Sequence, residues 1–244
     1  KKEKRAEINI VIFSVFFSFY FLEGAINISK IFFSSPEVYN KKLLDPKYDI
    51  RTRIEVLEDE RKKDPNTVVP SVTLSFFKEF SSESFLPLSG VANRNTVFCN
   101  ELGFWVIYRS DRYGFRNPDQ EWDKDKIKYL LLGDSLTHGM CVNEKDTISG
   151  YLRNNGNQEG HGVLNLGVWG DGPLSMLARL KEYLQNNKVE KVLWIYTEGN
   201  DLTDLYHEKR NKILFNYLND YSYTQNLMTK QNLIDNFLST HLHE

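Results

Sequence analysis

Ile127-Lys128-Tyr129-Leu130-Leu131-Leu132-Gly133-Asp134-Ser135-Leu136-Thr137-His138-Gly139 joins a short apolar run to a polar loop bounded by glycines. An apolar run of this length predicts a strand buried on both faces, since a half-exposed strand would alternate apolar and polar side chains. Asp134 and Ser135 accept hydrogen bonds from free amides, the property of residues that open a helix. The unit recurs downstream. Val163 to Leu166 predicts a second strand and Val192 to Tyr196 a third. Asp146 to Asn154, Pro173 to Leu184 and Asp201 to Leu218 predict helices, with Pro173 in a first turn, where its missing N–H is harmless. Strands alternating with helices through short connections wind right-handed into a parallel sheet, so the fold class is α/β, three-layered as α/β/α. This domain spans 126–244, and the chain shows no internal repeat.

Upstream, the pattern changes. Val97, Phe98, Phe104, Trp105, Val106, Ile107 and Tyr108 are aromatic or β-branched and are interrupted at Asn100 to Gly103, which predicts a hairpin. Arg112 and Arg116 follow it; ion pairs tying this arm to the domain are a better use for them than an anionic substrate. Five of the seven Pro lie between 31 and 90, around a charged run from Arg51 to Asp64 in which Ile50, Ile54 and Leu57 recur at helical spacing. Residues 31–125 thus form an arm with one amphipathic, largely solvated helix.

Residues 1–30 are different again. Ile8 to Leu22 carries no charge, Lys1, Lys2, Lys4 and Arg5 precede it, and seven of the sixteen Phe fall within the first 33 residues. Fifteen helical residues span about 22 Å, and continuing to Ile28 reaches the hydrocarbon thickness of about 30 Å. Glu23 stands in the wrong position for cleavage after Ala25, and a core helix would not be apolar all round, so a transmembrane signal anchor fits better than a signal peptide or a buried helix. The basic flank outweighs Lys30 and puts the N-terminus in the cytoplasm and the bulk of the chain outside it, in the periplasm of a bacterium.

With 31 Lys and Arg against 33 Asp and Glu, the chain has no excess of cations to bind phosphates, and no nucleic-acid partner is expected. The five His and the carboxylates show no zinc-type spacing, and no dinucleotide or phosphate-loop glycine pattern occurs, so neither metal nor cofactor is expected. Cys99 and Cys141 are the two cysteines; two unpaired buried thiols are expected ahead of a disulfide.

In an open parallel sheet, ligands bind where strands end. The three exits read Gly133 to Gly139, then Asn165-Leu166-Gly167-Val168-Trp169-Gly170-Asp171-Gly172, then Thr197-Glu198-Gly199-Asn200-Asp201. Each alone is an ordinary polar turn. Together they supply an acyl-transfer site, with the Ser135 hydroxyl as nucleophile at a tight strand-to-helix turn. The amides of Ser135 and Gly170 and the side-chain amide of Asn200 would be the donors fixed around a developing oxyanion. A side chain at 170 would crowd the substrate.

These residues resemble the SGNH or GDSL hydrolases over roughly 126–220. Gly-Asp-Ser-Leu at 133–136 is similar to the family's nucleophile block, the second loop supplies Gly170, and Gly199-Asn200-Asp201 is similar to its Gly-x-Asn-Asp block, with Glu198 where the family usually has Gly. The resemblance implies a flavodoxin-like parallel sheet and catalytic roles for Ser135, Gly170 and Asn200. It also implies an ester substrate, such as acylated envelope glycan. The activity would be esterase; transfer to a sugar hydroxyl, as in an O-acetyltransferase, is the enzymatic alternative.

The family's Asp-x-x-His comes last. Asp204-Leu205-Tyr206-His207 matches formally, but one turn of the helix leaving the third strand carries His207 away from the strand edge. His138 lies behind the nucleophile, His161 precedes the second strand, and His241 and His243 sit in the tail. The missing strands, with the Asp and His, are therefore expected beyond Glu244. A non-catalytic glycan-binding or assembly protein is the alternative of another class.

Overall fold

The computed structural model describes residues 13–14, 16–23, 45–71, 85–155, 160–184 and 188–241. Contacts divide the chain into two units, Lys1–Ile50 and Arg51–Glu244. In the first, residues 13–14 and 16–23 are helical, and Phe13, Phe17 and Phe21 stack one turn apart on an exposed face. The remainder of the anchor expected over 8–28 lies outside the described residues. Among the described residues, no helix is long and apolar enough to cross a membrane.

The second unit opens with helix α1 (Arg53–Lys63), closed at its start by reciprocal hydrogen bonds between Thr52 and Glu55. Its inward residue is Val56, while Ile54, expected on the apolar face, is exposed. The expected hairpin is present as β1 (Asn95–Cys99) and β2 (Val106–Arg109), paired antiparallel.

The α/β part follows as β3 (Ile127–Leu132), α2 (Ser135–His138), α3 (Ile148–Asn155), β4 (Gly162–Asn165), α4 (Pro173–Tyr183), β5 (Val189–Trp194), α5 (Asp201–Glu208), α6 (Lys212–Asn219) and α7 (Gln231–His241). The three strands are parallel in the order β4-β3-β5. The chain steps outward from β3 to β4 and then returns across β3 to β5. With right-handed crossovers this reversal puts α3 and α4 on opposite faces of the sheet.

Two expectations shift. β5 starts at Val189, three residues before the expected strand, because it pairs with β3 from Ile127 to Leu132. Glu190 and Lys191 fit there since β5, expected to be buried like β3, has no buried residue: both are exposed at the sheet's edge, as are Val192 and Trp194. The single helix expected over 201–218 is broken at Lys209–Asn211, where the Asn211 side chain accepts the amides of Ile213 and Leu214 and starts a new helix.

Residues on both sides of position 125 share one core. Leu86, Leu88, Phe115 and Trp122 pack with Leu130, Leu132, Leu164, Met176, Tyr183 and Leu214. Arg112 pairs with Asp119 and Asp123 inside its own segment. Arg116 does join arm to domain, donating to the carbonyls of Gly139 at 2.6 Å and Val142 at 2.7 Å. Asp111, fully buried, accepts from Asn117, Trp122 and the amides of Tyr113 and Phe115. Asn117 in turn accepts from the amide of Asn165, so the arm is bonded to the end of β4.

Candidate active site

The three loops leave adjacent strands at one edge, and hydrogen bonds continue the ladders past the strand ends. Leu166 N–H donates to Leu131 O at 2.9 Å and Val168 N–H to Gly133 O at 3.3 Å, which lays the second loop along the first. Ile195 N–H donates to Leu132 O at 2.8 Å on the other side. The sequence of polar exits after apolar strands thus converts directly into three neighbouring loops.

Ser135 is the first residue of α2. Asp134 precedes it as N-cap, its Oδ1 accepting from Leu136 N–H at 3.1 Å. Gly139 ends the helix in the left-handed conformation, at φ 84°. Ser135 is partly exposed, and neither its hydroxyl nor its amide is hydrogen-bonded among the described residues. Gly170 is likewise partly exposed with its N–H unengaged among the described residues. Its φ of 77° is the backbone reason for glycine there.

Asn200, the residue before α5, is drawn to the loop that carries Ser135. Its Nδ2 donates to Asp134 Oδ2 at 3.2 Å and to Asp204 Oδ2 at 2.8 Å. Both side-chain N–H bonds are therefore held by carboxylates, and donation to a substrate oxygen requires one of them to be exchanged. The Asp134 contact is the longer of the two. Asp204, which the sequence offers as half of an Asp-x-x-His, serves Asn200 instead; His207 points its ring at Tyr206 and is exposed.

His138 is fixed in a neutral form. Trp169 N–H donates to its Nδ1 at 3.3 Å, so the ring hydrogen is on Nε2, which lies 3.2 Å from Tyr108 Oη. The ring stacks on Phe98 with centroids 4.5 Å apart. Burial, then the Arg116 and Arg179 charges, push its pKa down to about 3. His138 is a bridge between the first two loops and the hairpin, with no lone pair left for Ser135. His161 lies at the start of β4, the opposite end of the sheet from the loops.

Cys99 and Cys141 form a disulfide, which corrects the expectation of two unpaired thiols. It joins β1 to the turn after α2, so the hairpin is held against the Ser135 loop by the disulfide, by Arg116, which lies over the Tyr108 ring, and by the His138 stack.

Several residues that organise the site were not singled out in the sequence. Asn165 donates to Thr137 O at 2.6 Å and accepts Gly167 N–H at 2.8 Å, bonding the second loop to α2. Its place at the head of the second loop was the available signal. Glu208 and Arg179 carry no such signal, whereas Asp171 lies in the second loop between Gly170 and Gly172. Among the described residues, no three His, Cys, Asp or Glu side chains are gathered as metal ligands.

No family model matches the chain, and no curated protein matches it. Among solved structures it is similar to that of AlinE4, an SGNH-hydrolase family esterase. The two are 20% identical over 48% of this chain and 73% of that one, with a TM-score of 0.27.

Proposed function

We propose that this chain is a serine esterase of the SGNH type that cleaves O-acyl esters through Ser135. One observation carries the proposal: a part-exposed Ser135 hydroxyl shares a strand-exit edge with two amides, those of Ser135 and Gly170, and none of the three is hydrogen-bonded among the described residues. In the first step, Ser135 Oγ adds to the ester carbonyl carbon and its proton passes to a base. The ester C–O bond breaks as the alcohol takes up that proton. Water then attacks the acyl-serine, releasing the carboxylic acid and returning the proton to Ser135. The two amides stabilise the negative oxygen in both tetrahedral states, and Asn200 joins them once released from Asp134. The test is hydrolysis of p-nitrophenyl acetate. Ser135→Ala is expected to lower the rate by at least about 1,000-fold, and equal rates would sink the assignment.

The proposed substrate is an acylated envelope glycan, reached by a catalytic unit outside the cytoplasm on an anchor over 8–28. The exposed Phe13, Phe17 and Phe21 stripe supports the anchor. Protease digestion of residues 31–244 in intact cells checks the orientation; full protection would reverse it. Transfer of the acyl group to a sugar hydroxyl needs only a different second nucleophile, and product analysis with a sugar acceptor separates it from hydrolysis.

The histidines favour a second reading. His138 is locked, His161 precedes β4 at the other end of the sheet from Ser135, and the exposed His207 lies against Tyr206, which suits a non-catalytic glycan-binding protein. A fluorophosphonate probe that leaves wild-type Ser135 unlabelled would support it.

A further inference from the structure

Helix α4 begins at Pro173 directly after the Gly170 loop, and its first amides have no partners within the helix. The usual remedy is a capping side chain just ahead of the helix, but that residue is Gly172, which has none. The cap comes from elsewhere in the chain. Glu208, the last residue of α5, is fully buried, and its Oε1 accepts from Gly172 N–H at 2.9 Å and Ser175 N–H at 3.1 Å. Its Oε2 accepts from Leu174 N–H at 2.8 Å. A Cβ on residue 172 would meet Glu208 Oε2 and Asp204 Cβ at 2.7 Å each, so the glycine lets α5 approach.

Between Gly170 and Gly172, Asp171 is held from the other side. Its Oδ2 is 2.6 Å from Arg179 Nη1, and both side chains are fully buried. Arg179 Nε and Nη2 have no hydrogen-bond partner among the described residues. A buried ion pair is weak evidence of stabilisation, and each buried donor left unpaired costs about 1–3 kcal/mol. Such an arrangement beside a functional loop points to position rather than stability.

We propose that Glu208 and the Asp171–Arg179 pair are positioning residues of the Ser135 site, fixing the loop that carries the Gly170 amide against the helix that follows Asn200. This rests on the esterase reading for its catalytic consequence, but the fixing of the loop does not. Two of the candidate oxyanion donors, Gly170 and Asn200, lie just ahead of α4 and α5, and Glu208 bonds the start of one helix to the end of the other. Displacing a reacting geometry by about 1 Å can cost on the order of 100-fold in rate.

The test uses the full chain in detergent and the near-isosteric Glu208→Gln, whose amide NH2 must face one of the three N–H donors. Hydrogen exchange by mass spectrometry is expected to accelerate for a peptide covering 170–176 while far-UV circular dichroism stays unchanged. With p-nitrophenyl acetate, kcat is expected to fall roughly 10- to 100-fold with KM changed less than about twofold. Arg179→Lys, which keeps the charge, should retain more kcat than Arg179→Met. A folded Glu208→Gln protein with wild-type exchange at 170–176 overturns the proposal, as does faster exchange with an unaltered kcat. If Glu208→Gln does not fold, the Arg179→Lys and Arg179→Met comparison decides, and equal kcat values refute the positioning role. Equal rates for wild type and Ser135→Ala refute the esterase reading separately, and the exchange result then still decides whether Glu208 fixes the loop.

Discussion

Acid should weaken this protein through one imidazole. His138 is neutral in the folded chain, with its pKa pushed down to about 3 from the ordinary 6.5, mainly by burial and then by Arg116 and Arg179. The unfolded chain therefore binds a proton near pH 6.5 that the folded chain refuses until about pH 3. The stabilisation is complete above the unfolded value and is lost as pH falls toward the folded one. At 1.36 kcal/mol for each pH unit between the two, lowering the pH from 7 to 4 removes about 3 kcal/mol. Protonation also has a specific structural consequence. A proton on Nδ1 would set a donor against the Trp169 N–H that now donates to it, breaking the bridge between the first two loops.

His138→Asn isolates this effect, because the asparagine oxygen can take the place of Nδ1 while nothing at the position titrates. At pH 7 the variant should be the weaker by about 1–3 kcal/mol, having lost the stack on Phe98 and the Tyr108 contact. By pH 4 that gap should close, since only the wild type carries the His138 penalty and all other titrations are common to both. Urea unfolding followed by tryptophan fluorescence at pH 7, 5.5 and 4, with the disulfide intact, measures the difference. Parallel loss of stability in the two proteins across that range would refute the reasoning. A His138 imidazole signal titrating between pH 6 and 7 in proton NMR would do so directly.

Reducing the Cys99–Cys141 bridge, which spans 42 positions, should cost up to about 4 kcal/mol by chain entropy, and equal melting with and without reductant would contradict this. Gly170→Ala places a Cβ on a backbone at φ 77° and should cost about 1–2 kcal/mol and slow hydrolysis; urea midpoints and p-nitrophenyl acetate rates report the two effects. Asn165→Ala strands Thr137 O and Gly167 N–H in the interior and should destabilise the chain by about 2–4 kcal/mol, which urea unfolding checks.

The exits of the strands were legible because their signals are local: an apolar run, then glycine, then a short polar side chain. β3 falls at the expected residues for that reason, and the three loops meet as the parallel order requires. Helix continuity between α5 and α6 misled because the apolar spacing carries on through Asn211, whose capping bonds cut it. The disulfide was not legible from spacing: what brings Cys99 to Cys141 is the packing of the hairpin on α2, through Phe98, Tyr108 and His138.

Three buried acids were the hardest to foresee, and they follow one rule. Asp111 holds the amides of Tyr113 and Phe115, Glu208 those of Gly172, Leu174 and Ser175, and Glu182 those of Gln225 and Leu227. Each is a carboxylate taken out of water to satisfy the free N–H groups of a turn or helix start, where an anion is favoured by the local dipole. For Asp111 the amides lie two and four residues away, and the pattern resembles an ordinary turn. For Glu208 and Glu182 they lie 33 to 45 residues away, so nothing in the sequence around either acid distinguishes it from a solvated charge. Composition counts such residues with the surface. Their real effect is to fix loops that have few apolar side chains of their own, and the loop beside Gly170 is held in this way from the far end of α5.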